Sequence, residues 1–405
     1  MERVVRDPLQ LELDALLGRL EDLARLLPAL TARNGLDERN RLVAALECGG
    51  SMEPRFDAHP RPIPRDVWAA LKRARVLAPS SPAPGLYRDR LDELELDLSM
   101  IEALGDPRRV RPLAARRFGT GATVVATASG PSTLHDVARA ILSTADVVYE
   151  PRVLPPQALA GEPSFAELIR RVAQRAGIEV RVVVEPRLAA AAATGERTVF
   201  IADRCYGVRE AIRLVVHEVL GHLVAAANGR TQPLRVIGLG TAGSFADQEG
   251  VALWLEEEVG AMDGLRLRTL AARVWTTDRM HADAPFGETV RLLHREHGFD
   301  ARDSVALAER AWRGGGVARD AGYLLGWLRV RRALSNGTAT LDELRSGRVG
   351  LADVGALRAL GRRGLWQFPA YRPSLAYSLG ATEAGTSLLT SPPSFAASLT
   401  RLELT

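Results

Sequence analysis

Three residues within six positions, His217, Glu218 and His222, lie in the apolar run A-I-R-L-V-V-H-E-V-L-G-H-L-V-A-A-A-N-G. About thirty residues later, Glu249 stands in D-Q-E-G-V-A-L-W-L-E-E-E. Two imidazoles and a downstream carboxylate form a ligand set for a catalytic zinc ion, which takes nitrogen and oxygen donors and keeps a fourth position for water. A carboxylate beside the first histidine can then accept a proton from that water. Glu256, Glu257 and Glu258 are alternative ligands by composition, although a triple acid run usually marks a solvated face.

The spacing is not that of the common H-E-x-x-H helix. His217 and His222 are five apart, which on a regular helix turns the second ring about 140° from the first. One extra residue, accommodated as a π-bulge, would bring both rings to one face, and such bulges concentrate at functional sites. Gly221 is a residue that tolerates the distortion.

The elements that must position these groups read as follows. A helix over 208–227 carries the histidines and ends at Asn228-Gly229, both tolerant of a left-handed C-cap. A Gly-rich loop over 231–246 leads to a second helix, with Asp247 as N-cap and Glu249 in its first turn. Before them, I-E-V-R-V-V-V-E and T-V-F-I-A-D predict a two- or three-stranded sheet within 179–203. The last strand before the metal helix is expected to line the cleft and offer a free edge to substrate backbone.

The first 120 residues read as helices: leucines at helical spacing (Leu11, Leu13, Leu17, Leu20, Leu23, Leu27), then stretches near 66–76, 87–104 and 108–118. No chemistry is legible there, and packing scaffold or cover is the expectation. The small residues of 119–130 lack the G-K-[S/T] of a phosphate loop. Residues 131–143 read as a helix capped by Ser132 or Thr133, and 165–176 as another, after a linker over 150–163. From Asp263 the chain is helical, with His281, His294 and His297 scattered. In R-G-G-G, Arg313 to Gly316, the glycines are either a helix boundary or a way to free N–H groups and Arg313 for an anion. The partition is a helical region over 1–125, a catalytic domain over 126–370 and a tail over 371–405 rich in Ser, Thr, Ala and Pro.

Composition narrows the class. The chain has 405 residues and a formal charge of +4, and Lys72 is its one lysine. Arginines and acids are interspersed, whereas a nucleic-acid surface needs basic residues clustered on one face; no nucleic-acid partner is expected. Cys48 and Cys205 are the only cysteines, which excludes a disulfide framework or a cysteine-ligated metal. The opening M-E-R-V-V-R-D-P lacks the apolar core of a signal peptide. No run approaches eighteen apolar residues, so no membrane span is expected and the cytoplasm is the default location. The oligomeric state is not legible.

At His217-Glu218 to His222, at Asn228-Gly229 with Gln232-Pro233-Leu234, and at Gln248-Glu249-Gly250-Val251-Ala252 the sequence resembles the flavohaemoglobin expression-modulating family named for its Q-E-G-L-A motif. Eukaryotic relatives of that family are the microtubule-associated tyrosine carboxypeptidases. Arg313 to Leu324 is similar to a later motif of the family, and the similarity is clearest over residues 160–330. Val251 stands where the family usually has Leu. The resemblance implies a mainly α protein with a small β-sheet (α+β), zincin-like, with Zn2+ held by His217, His222 and Glu249 and with Glu218 as general base. It implies carboxypeptidase activity on a peptide or protein C-terminus. Arg313 is the expected partner of the terminal carboxylate, with Asn228 and Gln232 grouped beside it as substrate-binding residues and Tyr323 as an oxyanion donor. The tubulin substrate of the eukaryotic relatives is not implied. H-E-V-L-G-H is also similar to the helix of dipeptidyl peptidase III, but the E-E-x-x-x-E pattern of that family is not clearly present. A regulatory protein that holds zinc without catalysis is a further alternative.

Overall fold

The computed structural model describes residues 7–379 apart from 58–60, 128, 145–148, 160–161 and 189. The expected tail therefore lies outside the described residues beyond position 379. The described chain is mainly helical with two small sheets, an α+β arrangement.

Helices Pro8–Leu23, Gly35–Cys48, Arg65–Leu77, Pro84–Ala103 and Pro107–Phe118 build the N-terminal part. Two of them begin as their sequences dictate: Asp7 and Asp106 each cap a helix whose first residue is proline, which has no N–H to lose there. Leu13, Leu17 and Leu20 are buried, but not in a core of their own. They share it with Leu234, Val236 and Ile237 and with Val349, Leu357 and Leu360 from the far end of the chain. Residues 1–125 thus form one wall of the molecule.

Residues 119–130 do not form the flexible loop suggested by their small side chains. Strand β1, Val124–Thr127, pairs with β2, Gly130–Thr133, as an antiparallel hairpin. Thr133 then caps the Leu134–Thr144 helix, its Oγ1 accepting from the Asp136 N–H at 3.1 Å.

The second sheet contains β3, Arg181–Glu185, β4, Ala192–Thr194, and β5, Thr198–Ala202, in the order β3-β5-β4. β5 is parallel to β3 and antiparallel to β4. The strand just before the metal helix, β5, is therefore central and has no free edge. The free edge facing the cleft belongs to β4, because the chain returns from β4 through a tight turn into the middle of the sheet.

Residues 208–229 form one helical rod: Val208–Val215 is α-helical, Val216–Leu223 has π geometry, and Val224–Gly229 is α-helical again. The end differs from the expected left-handed cap. Gly229 is right-handed, and a Cβ there would lie 2.7 Å from the Cα of Gly238. Glycine is needed for the close crossing of the rod with a short helix, Arg235–Leu239, inside the expected loop. The next helix, Ser244–Glu258, starts sooner than expected, after Gly243 at φ +71°. Asp247 is then inside its first turn, where it accepts from the Leu351 N–H at 2.8 Å and pairs with Arg329 instead of capping.

Two further close approaches fix this helix. A Cβ on Gly221 would meet Ala252 Cβ at 2.8 Å, and one on Gly250 would meet the Gly326 carbonyl oxygen at 2.3 Å. The Ser244–Glu258 helix is clasped between the π segment and the Ala321–Ser335 helix by contacts that only small residues permit.

Candidate metal centre

The π segment has the consequence its spacing requires. With hydrogen bonds running five residues back, positions five apart share a face, and the rings of His217 and His222 meet edge-on with centroids 4.8 Å apart. The two Nε2 atoms are 3.1 Å apart. Glu249 Oε2 lies 3.2 Å from the Nε2 of His217 and 3.6 Å from that of His222. Among the described residues this trio is the one group of His, Cys, Asp or Glu drawn together closely enough to hold a metal.

The residues fit zinc. At metal–ligand distances of about 2.0–2.1 Å, tetrahedral donors sit about 3.3 Å from one another, and the three separations bracket that value. Glu249 Oε2 is buried without a hydrogen-bond partner. His217 Nδ1 faces Glu256 at 2.7 Å, a contact that holds the ring proton on Nδ1 and turns the lone pair of Nε2 inward.

Electrostatics point the same way. Burial would push the His217 imidazole down, yet hydrogen bonding to Glu249 and Glu256 outweighs it and lifts the ring to about 9. Burial also opposes ionisation of Glu249, but the charge of His222 and hydrogen bonds from both rings hold its carboxyl well below the usual range. Glu256 is held at about 2 against burial by Arg266 and His217. Two ionised carboxylates around two buried imidazoles call for a cation.

Glu256 corrects the expectation of a solvated acid run. It is fully buried, and Arg266 binds both of its oxygens at 2.8 and 2.9 Å. Glu257 is also engaged, accepting from Trp327 Nε1 and Arg331. Neither residue joins the ligand trio.

The trio opens into a cavity of about 1200 Å³. Glu218 lines it, and its Oε2 accepts from Thr194 Oγ1 at 2.7 Å. Beside the trio stands Tyr323, buried and with its hydroxyl pushed up by burial and by the charge of Glu249. Beyond it, Phe245 and Phe118 follow edge-on at 6.0 and 5.7 Å, with Arg273 over the Tyr323 ring and Arg319 over the Phe245 ring.

Arg313 lines the same cavity. Its Nη2 donates to Glu309 at 2.9 Å, while its Nε is buried without a partner, as is that of Arg319. The glycines behind Arg313 resolve the question left by the sequence. Gly314, Gly315 and Gly316 take φ of +64°, +91° and +114°, and a Cβ at Gly314 or Gly316 would strike Leu30 or Met280. They form a packed turn, and Arg313 reaches the cavity from its start. Around it Arg273, Arg310 and Arg319 gather at Asp320. Four guanidiniums stand against two carboxylates, Asp320 and Glu309.

Asn228 and Gln232 are placed elsewhere. The Asn228 amide donates to the carbonyls of Arg345 and Tyr371 and accepts from the Tyr371 N–H. Gln232 donates to and accepts from the backbone of Gln367. Neither lines the cavity. Both hold the 367–371 strand of chain against the back of the metal helix, so the structure gives them a bracing place and not a substrate-binding one. His281, His294 and His297 are likewise outside the cavity. Sequence reasoning missed Thr194, which had no signal, and Glu256, whose seven-residue offset from Glu249 was one.

No helix among the described residues is long and apolar enough to cross a membrane. Comparison with curated proteins finds no match. The profile of a family described as microtubule-associated tyrosine carboxypeptidase matches residues 46–390, most of the chain.

Proposed function

We propose, on the premise that this chain belongs to the microtubule-associated tyrosine carboxypeptidase family, a zinc-dependent metallocarboxypeptidase of zincin type. It would remove the last residue from a peptide or protein with a free C-terminus. The observation that carries the metal is the convergence of two Nε2 atoms and an orphaned carboxylate oxygen, 3.1–3.6 Å apart, at the mouth of a cavity. Three ligands leave a position open, where a purely structural zinc would normally have four.

Bound zinc would polarise the scissile carbonyl and acidify water. The chain's own residues supply the rest. Glu218 takes the proton of the attacking water and delivers it to the leaving nitrogen as the C–N bond breaks, leaving a new carboxylate and a free amino acid. Arg313, with Arg319 beside it, receives the terminal carboxylate: each has a buried Nε–H without a partner, in a group with more guanidiniums than acids. Tyr323 remains protonated and can donate to the oxyanion. The free edge of β4 suits pairing with the substrate backbone. Tyr323, Phe245 and Phe118 make a wall suited to an aromatic terminal side chain, in keeping with the family's description.

Metal analysis of the purified protein beside His217→Ala tests the centre: about one zinc per chain in the first and none in the second. Paired peptides with free and amidated C-termini test the reaction. Glu218→Gln should keep zinc and lose turnover. Equal cleavage of amidated peptides would remove the carboxypeptidase reading, and full activity in Glu218→Gln would remove the mechanism.

A further inference from the structure

A general base works only if its carboxylate is held at the place where the proton is transferred. Glu218 is on a π segment, whose backbone bonding is looser than that of an α-helix, so something outside the helix has to fix it. The residue that touches its carboxylate comes from the neighbouring sheet. Thr194, the last residue of β4, places Oγ1 2.7 Å from Glu218 Oε2 and 3.2 Å from the Glu218 backbone oxygen. A hydroxyl has one proton, and the shorter contact to an ionised oxygen is the stronger one.

The mount of Thr194 is itself rigid. It pairs in register with Val199 on β5. In the turn that follows, the Gly195 N–H donates to the Thr198 carbonyl at 2.7 Å, and Arg230, at the end of the metal helix, donates to the Glu196 carbonyl at 2.8 Å. The turn is thus tied to the rod that carries Glu218. Thr194 also lines the cavity, on the strand with the free edge.

We infer that Thr194 is a positioning residue for Glu218: its hydroxyl anchors Oε2 and leaves Oε1 to exchange the proton. The inference rests on the reading of Glu218 as the base. Because β4 borders the cleft, one strand both meets the substrate and sets the base, so the carbonyl and the proton acceptor share a common frame.

The test uses Thr194→Val, which keeps the shape and removes the donor, and Thr194→Ser, which keeps the donor and removes a methyl group. In Thr194→Val, kcat should fall about 10–100-fold with KM within about twofold and zinc content equal to wild type. Thr194→Ser should stay within about threefold of wild type. Unchanged kcat in Thr194→Val, or Thr194→Ser no better than Thr194→Val, would overturn the inference. Crystal structures supply a readout independent of turnover. The Glu218 carboxylate should leave its place in Thr194→Val and keep it in Thr194→Ser; a carboxylate that stays put in Thr194→Val refutes the positioning role. A wild type that cleaves no peptide, together with a displaced Glu218 in Thr194→Val, would sink the proposed function while leaving the contact's role established.

Discussion

Gly221→Ala should cost the protein its metal before it costs the protein its fold. The new Cβ would stand 2.8 Å from Ala252 Cβ and 3.1 Å from Ala252 Cα. Ordinary carbon contacts are about 3.5–4.0 Å, so the π segment and the Ser244–Glu258 helix must part by about 0.7–1.2 Å. Those two elements carry the ligands, His217 and His222 on one and Glu249 three residues before Ala252 on the other. A metal site tolerates about 0.2 Å in its bond lengths, so the separation is several times what the trio can absorb. Overpacking costs about 1–3 kcal/mol, but alanine regains about 1 kcal/mol of helix propensity over glycine. Net destabilisation is then modest, about 0–2 kcal/mol. The assay is zinc affinity by competition with a chromophoric chelator, read beside urea denaturation of the metal-free protein. The variant should bind zinc at least about tenfold more weakly with its urea midpoint little changed. Adding Ala252→Gly removes the atom at 2.8 Å and should restore most of the affinity. Wild-type zinc affinity in Gly221→Ala, or no recovery in the double variant, would refute the claim that this contact sets the ligand geometry.

Three further outcomes are expected. Glu256→Gln keeps an acceptor for His217 Nδ1–H but removes the charge facing Arg266; zinc affinity should drop about 10–100-fold, and an unchanged affinity would show that Glu256 does not tune the ligand. Asn228→Ala deletes three hydrogen bonds from a fully buried amide. It should lower stability by about 1–3 kcal/mol without loss of zinc; loss of zinc at full stability would contradict its bracing place. The Asp303 carboxyl is pushed up to about 6 by burial and then by Asp300. A carboxyl raised above its unfolded value favours the native state below about pH 4, and that contribution fades as pH climbs through 6. Asp303→Asn cannot ionise, so its stability relative to wild type should rise by about 1–3 kcal/mol between pH 4 and pH 8. Parallel urea curves at the two pH values would argue against it.

The metal helix was legible because its chemistry and its geometry are both local. An i, i+5 histidine pair makes sense only if the helix is distorted between them, and the π segment spans that interval. The sheet was legible as strands but not as an order. Nothing in T-V-F-I-A-D says that β5 will be central, since that depends on β4, three residues of A-A-T with no β-forming pattern. For the same reason Thr194 carried no signal: its role comes from a contact with a residue 24 positions away. Likewise, the leucines of the Pro8–Leu23 helix announce a helix but not the partner that covers it.

Other roles were legible from helical offset, where residue type misled. Asn228 is polar and close to the motif, and so resembles a site residue. It stands six positions after His222, a rotation of about 240° on a regular helix, which turns it from the metal toward the segment it braces. Glu256 stands in an acid run and so resembles solvated surface. Seven positions after Glu249, it is only about 20° off the same face, and a carboxylate on that line must lie beside the ligands. Its full burial against His217 and Arg266 follows from that position. Around a helical metal site, the angle from a ligand therefore says more about a neighbour's role than its polarity does, because the angle decides what it can touch before its chemistry decides what it does there.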